Sequence, residues 1–286
     1  MFSRVARRKF YNTVFVGFCV LATVVAIGAL TLILWSLLHK GLAGVDANLF
    51  LADTKSSCQG DSSCAPGGLR NAFIGSAMML AIAMFIALAV GILAGTWLSE
   101  FGGETPYGHA IRFLNDVLLS APSILIGVAV WELLVVPFHG YSAMAGAVAL
   151  AFLAAPVVTR TTEDILAMQS SALREAGSAL GTPQWIVVRK IVWKAAGGGL
   201  LTGGLLAFAR ISGETAPLLF TSLGNNLFSL DPFAPIASLP KVIYDNALSP
   251  YDDLVQIAWA GALVIAVVVL AINILGRILA REPKRS

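Results

Sequence analysis

Apolar residues in this chain run in long blocks separated by short polar stretches. Crossing about 30 Å of hydrocarbon takes about 20 helical residues. Six blocks meet that length, near 12–38, 71–99, 114–137, 142–161, 196–221 and 255–280. The third and fourth are joined by the few residues around "FHGYS", which predicts an antiparallel hairpin. The pattern predicts an all-α integral membrane protein with six transmembrane helices, residues 1–286 forming one transmembrane domain. No internal repeat and no low-complexity tract interrupts it.

Composition agrees with the pattern. The chain is 57% hydrophobic and only 12% charged, with a mean hydropathy of +0.82. A soluble domain is about 25% charged. The net charge of +3 is too mild to favour nucleic acid as a partner. Placement of charge says more. With both termini on one side, fourteen Lys and Arg fall on that side, and Lys40, Lys55, Arg70 and Lys241 on the other. Arg210 alone is left inside a span. The positive-inside rule then puts the termini in the cytoplasm. The basic start "MFSRVARRKF" has no small-residue cleavage site after its apolar run, so the first span is expected to stay uncleaved.

Three cysteines are present. Cys58 and Cys64 lie in the outward stretch "SSCQGDSSCAPGG", where an oxidising compartment would allow a disulfide. Two unpaired loop thiols are the alternative. Cys19 lies in the first span. Neither the spacing nor the scattered His39, His109 and His139 makes a metal site.

Residues 162–195 form the long loop on the terminal side. Small residues dominate "SSALREAGSALG", and Gly181 suits the left-handed end of a helix. Thr182–Pro183 reads as a cap and first residue of another helix. Two short helices meeting at Gly181 are therefore expected. The first is small-faced and suited to close docking. The second carries Trp185, Arg189, Lys190 and Trp193, suited to the lipid headgroups. An ordinary amphipathic connector is the bland alternative.

The fifth block contains "ARISGETAPLLF". A charge at mid-membrane costs on the order of several kcal/mol, so it faces a bundle interior, a wet path or a partner. Arg210 and Glu214 are four apart, a spacing that allows an ion pair on one helix face. A structural pair locking helices is one reading. The other is a station for a passing anion, with Arg210, Glu214 and Thr215 lining the path. Arg offers a planar donor fork for a tetrahedral oxyanion. Glu214 would accept the proton of a phosphate hydroxyl and repel sulfate, which has none. Pro217, beside Gly213, is expected to kink the helix. Arg160, after Pro156 and before Glu163 and Asp164, is either a second anion station or a plain interfacial anchor. Glu132, beside Trp131, suits the opposite interface. The glycines of "KAAGGGLLTGGLLAFA" favour close helix packing.

"REAGSALGTPQWIVVRKIVWKA" resembles the Glu-Ala-Ala motif of ABC importer permeases. Glu175, Ala176, Gly181 and Ile191 fall at matching places, while Gly177, Trp193 and Lys194 replace the pattern's Ala, Leu and Pro. "ARISGETAPLLF" and "VVTRTTEDIL" are similar to the phosphate-transporting members of that family, and the likeness extends through most of residues 70–280. The resemblance implies a type I importer (MetI-like) fold. It also implies a second permease, two copies of an ABC ATPase subunit and an extracytoplasmic phosphate-binding protein. Arg174, Glu175, Ala176, Gly177 and Gly181 would couple the chain to the ATPase. The chain has no phosphate-binding Gly-x4-Gly-Lys-Ser/Thr loop, so ATP and Mg would be used by the partner, and this subunit would have no cofactor or catalytic site of its own. The expected location is the bacterial inner membrane. Rival readings are a permease for sulfate or molybdate, and a stand-alone secondary transporter, against which the lack of inverted repeats argues.

Overall fold

The computed structural model describes residues 4–58 and 67–280, with side chains to 278. Among the described residues the chain is helical, with no strand. Among the described residues five helices are long and apolar enough to cross a membrane, or six if one bent pair is counted as a single crossing. They are α1 (Arg4–Leu42), α3 (Arg70–Trp97, continued by a π turn Leu98–Gly102), the pair α4 (Pro106–Ser120) and α5 (Ser123–Val130, with a π turn Trp131–Val135), α6 (Ala143–Ala167), α9 (Trp193–Ser212) and α12 (Asp252–Ala280). Short helices fill the connections: α2 (Ala47–Leu51), α7 (Ser171–Ala179), α8 (Gln184–Val187), α10 (Ala216–Thr221) and α11 (Leu239–Ala247).

The centre of the bundle is α6, packed on α3 and α9. Its seam with α3 is built from Ala83, Ala87, Ala147, Ala151 and Ala154, all buried. Small residues let the backbones approach, the usual device where lipid removes the hydrophobic drive between helices. A methyl added at Gly91 would lie 2.6 Å from Val158 Cβ, and one at Gly95 would lie 2.5 Å from the Thr159 carbonyl. Pro156 sits within α6. The buried Asn115 of α4 donates its amide to the Pro156 carbonyl at 3.3 Å.

By contrast, none of the membrane-length window of α1 is buried. It meets the bundle at its end, where Gly41 lies against Leu263 and Gly44 against Gln256. Lys40 caps this contact over the Trp259 ring, 4.9 Å from its centroid.

Two predicted spans differ from the observed helices. The third, placed at 114–137, is a helix pair starting at Pro106 and bent by 106° between Ser120 and Ser123. Ala121 and Pro122 are extended there, at ψ 135° and 131°. Proline drives the residue before it out of the helical region. The fifth, placed at 196–221, runs continuously from Gln184 to Ser212 through a π turn at Val188–Val192. The helix expected to lie along the headgroups is thus the first part of this span. Trp193, assigned to the lipid surface, instead donates its indole N–H to Thr96 Oγ1 at 3.1 Å.

Candidate functional site

The α9 helix ends at Ser212, and α10 starts at Ala216. Gly213 and the proline at the second position of α10 account for the break. The predicted Arg210–Glu214 pair needs an uninterrupted turn, and this break removes it. Among the described residues neither side chain forms an ion pair. Arg210 is exposed on the last turn of α9, while Glu214 is half-buried and turned back into the chain. Glu214 lines a narrow cavity with Ser76, Met79, Leu150 and Leu218. Thr215 is the half-buried residue before α10, and its carbonyl accepts from the Leu218 amide at 3.1 Å.

Pro217 does more than kink the chain. A methyl on Gly127 of α5 would lie 2.6 Å from Pro217 Cα. The bent third crossing and the broken fifth therefore touch backbone to backbone. The contact lies one to two turns beyond the Ala121–Pro122 bend on one side and just past the Gly213–Thr215 break on the other. Non-helical backbone at such depth belongs where it is covered by protein or lines a wet path.

Arg160 lies on the exposed edge of α6 and pairs with Asp164 at 3.3 Å, both side chains about half exposed. Its neighbour Thr161 packs on Gly203 of α9. Arg210 is seven residues beyond Gly203, about 10 Å farther along the helix at 1.5 Å per residue. The two arginines therefore stand at different depths and do not form one cluster. Glu132 is exposed on the π turn after α5.

In the long loop after α6, α7 and α8 meet at Gly181, which has φ 72°. This is the left-handed conformation expected from the sequence. The capping residue of α8 is Pro183, one place beyond the expected Thr182. Glu175 and Ala176 are exposed on α7, and Leu180 is 83% exposed. Gly177 faces inward, where an added methyl would lie 2.8 Å from the Val187 methyls. Arg174 also faces inward. Its Nε donates to Glu100 Oε2 at 2.9 Å and its Nη2 to Glu100 Oε1 at 2.5 Å. Further bonds run to the carbonyls of Leu166, Gln169 and Ser170. The hydrogen bond to Glu100 holds the Arg174 guanidinium above its usual value, against the effect of burial.

Sequence reasoning missed Glu100 and the pairing of Arg112. Arg112 Nε donates to Glu163 Oε1 at 2.7 Å, and Nη1 to the Gly103 carbonyl at 2.6 Å. The available signal was an acid just inside a span end, as in "LSEFG".

On the opposite side, Cys58 is in a disulfide, and Cys19 is free and exposed. Cys64 lies outside the described residues. The Cys58 amide donates to Asp253 Oδ2 at 2.8 Å, tying the loop to the start of α12. Arg70 and Asp53 form a two-point pair, Nε to Oδ1 at 2.9 Å and Nη2 to Oδ2 at 2.8 Å. The Arg70 hydrogen bond holds the Asp53 carboxyl below the usual carboxylate range, although burial pushes it up. Among the described residues no group of His, Cys, Asp and Glu could hold a metal ion.

The chain is thus a membrane bundle centred on one small-residue seam, with a two-helix element on its long loop. The chain belongs to the family of binding-protein-dependent transport system inner membrane components, whose model matches residues 87–285. Inward-facing MetNI methionine ABC transporter shares the fold, with a TM-score of 0.63 at 20% identity over 74% of this chain and 94% of that one. Within the family the chain falls in the PstA branch. It is 45% identical to the phosphate transport system permease protein PstA of Xylella fastidiosa, over 96% of this chain and 93% of that protein. PstA of Haemophilus influenzae is 44% identical, over 97% and 96%. A probable PstA of Methanocaldococcus jannaschii is 36% identical, over 86% and 88%.

Proposed function

We propose that this chain is a permease subunit of an ATP-driven importer of inorganic phosphate that works by alternating access. The observation carrying this reading is the 45% identity to a phosphate transport permease over 274 residues. The broken fifth crossing supplies a physical basis. Arg210 is a guanidinium exposed at a helix break, among the described residues free of any ion pair, and its fork of donors suits a tetrahedral oxyanion.

In this reading the chain pairs with a PstC-like permease, and the exposed face of Arg210 turns toward the shared path. Two ABC ATPase subunits dock on the exposed face of α7, around Glu175 and Ala176. They use ATP and Mg, and this chain contributes no catalytic group. An extracytoplasmic phosphate-binding protein delivers the anion to the side of the Cys58 loop. The termini and α7 face the cytoplasm of the inner membrane, the orientation that the arginine and lysine distribution favours. Arg160 is the inner station, about 10 Å from the level of Arg210 along the helix axis. Glu214 stands behind the break, where it repels an anion that has no proton to donate.

Radiolabelled phosphate uptake into proteoliposomes holding the copurified complex tests the reading, with and without ATP and against excess sulfate. ATP-dependent uptake that sulfate does not block is expected. Loss of uptake to sulfate would overturn the substrate, and uptake without an ATPase would overturn the class. Arg210→Ala is expected to abolish uptake while the complex still assembles, and normal uptake would remove Arg210 from the path.

A further inference from the structure

The face of α7 turned away from solvent carries two contacts of different kinds. Gly177 seats the helix on Val187 and Ile191 of the α8 segment. Arg174 reaches past that contact to Glu100, in the π turn that ends α3. Glu100 is 74 residues away in sequence, and its side chain is 2% exposed. The same guanidinium bonds the carbonyl of Leu166, in the last turn of α6, and that of Gln169 just beyond it. Gln184, at the start of α8, donates to the Glu100 backbone carbonyl at 3.1 Å. One side chain thus fastens α7 to the ends of α3 and α6, and its acid partner is held by α8.

Chain continuity alone would make a poor linkage. Short non-helical joints flank α7, at 168–170 and 180–183. A joint of this kind turns about its free dihedrals before it transmits a push. The Arg174–Glu100 pair bypasses both joints. Arginine does not lose its charge, and a buried carboxylate deprived of its partner is strongly disfavoured. The pair therefore stays closed while the elements around it move. The π turn places Glu100 where the pair can form, and such turns recur at functional sites.

Resting on the importer reading above, we propose that Glu100 and Arg174 are positioning residues that carry the displacement of α7 into α3, and through its seam into α6. The test uses the whole complex in proteoliposomes and reads substrate imported per ATP hydrolysed. Glu100→Gln keeps the shape and removes the charge. Arg174→Lys keeps the charge and loses the fork.

In either variant the ratio is expected to fall at least about fivefold, the lower end of ordinary inter-site coupling, while ATP hydrolysis stays within about twofold of the parent. An unchanged ratio at normal hydrolysis overturns the proposal. So does a parallel loss of hydrolysis and import, or failure of both variants to assemble, since each marks a pair that only holds the fold. If the parent complex imports some other anion, the importer reading fails on its substrate, and the ratio is read with that anion instead.

Discussion

Glu163 and Asp164 are adjacent acids on α6, each paired with an arginine, and they are expected to behave very differently. Glu163 pairs with Arg112, with side chains 12% and 24% exposed. Asp164 pairs with Arg160, with side chains 56% and 48% exposed. Removing one partner of a buried pair costs about 3–5 kcal/mol, because the other charge is left without compensation. Arg112 is a quarter exposed and keeps its bond to the Gly103 carbonyl, so about 2–3 kcal/mol is expected for Glu163→Ala. A half-exposed pair one turn apart is worth about 0.3–0.5 kcal/mol. Double-mutant cycles on reversible unfolding in detergent separate the pairs. The Arg112→Ala, Glu163→Ala cycle should return about 1–3 kcal/mol of interaction energy. The Arg160→Ala, Asp164→Ala cycle should return less than about 0.5 kcal/mol, and 1 M salt should erase it by shrinking the screening length to about 3 Å. Equal interaction energies in the two cycles would refute the reasoning from burial.

Three further outcomes follow from the same geometry. Gly127→Val sets a side chain against Pro217 Cα, which cannot rotate away, so uptake should be lost while α7 still binds its partner in a copurification assay. Gly181→Ala forces a left-handed residue at φ 72° to carry a methyl, costing about 1–2 kcal/mol in thermal unfolding, with Gly181→Asn costing less. The Asp53 carboxyl titrates lower in the folded chain than its unfolded value of about 3.9. Its pairing therefore stabilises fully above that value and is lost as pH falls through the lower folded one. Hydrogen exchange at residues 67–73, corrected for intrinsic rate, should stay slow to about pH 4 and quicken below it, and Asp53→Asn should be fast throughout.

The spans were legible because hydrophobic length is a property of each segment alone. The 196–221 block was displaced because Arg189 and Lys190 set 184–195 apart as a separate interfacial helix, whereas the helix runs on without a break to Ser212. Gly181 was readable from a single local rule of backbone conformation. The Arg210–Glu214 spacing misled, since Gly213 and Pro217 end the helix inside the very turn that the pairing needs. Glu100 and Arg174 were beyond reach for another reason. Glu100 looked like an ordinary charge at a span boundary and Arg174 like part of the loop's coupling motif, and their meeting depends on how α3, α6 and α7 converge.

The α6 helix has the lowest hydropathy of the first three long crossings, 1.7 against 2.5 and 2.7, and 72% of its membrane window is covered by the rest of the chain. Taken alone it would leave the translocon reluctantly, carrying Arg160, Glu163 and Asp164 at its end. Its principal neighbour α3 is synthesised first, so a ready-made alanine and glycine surface awaits it in the bilayer. The order of elements along the chain is thus also an order of insertion, in which an earlier and greasier helix receives a later, less apolar one.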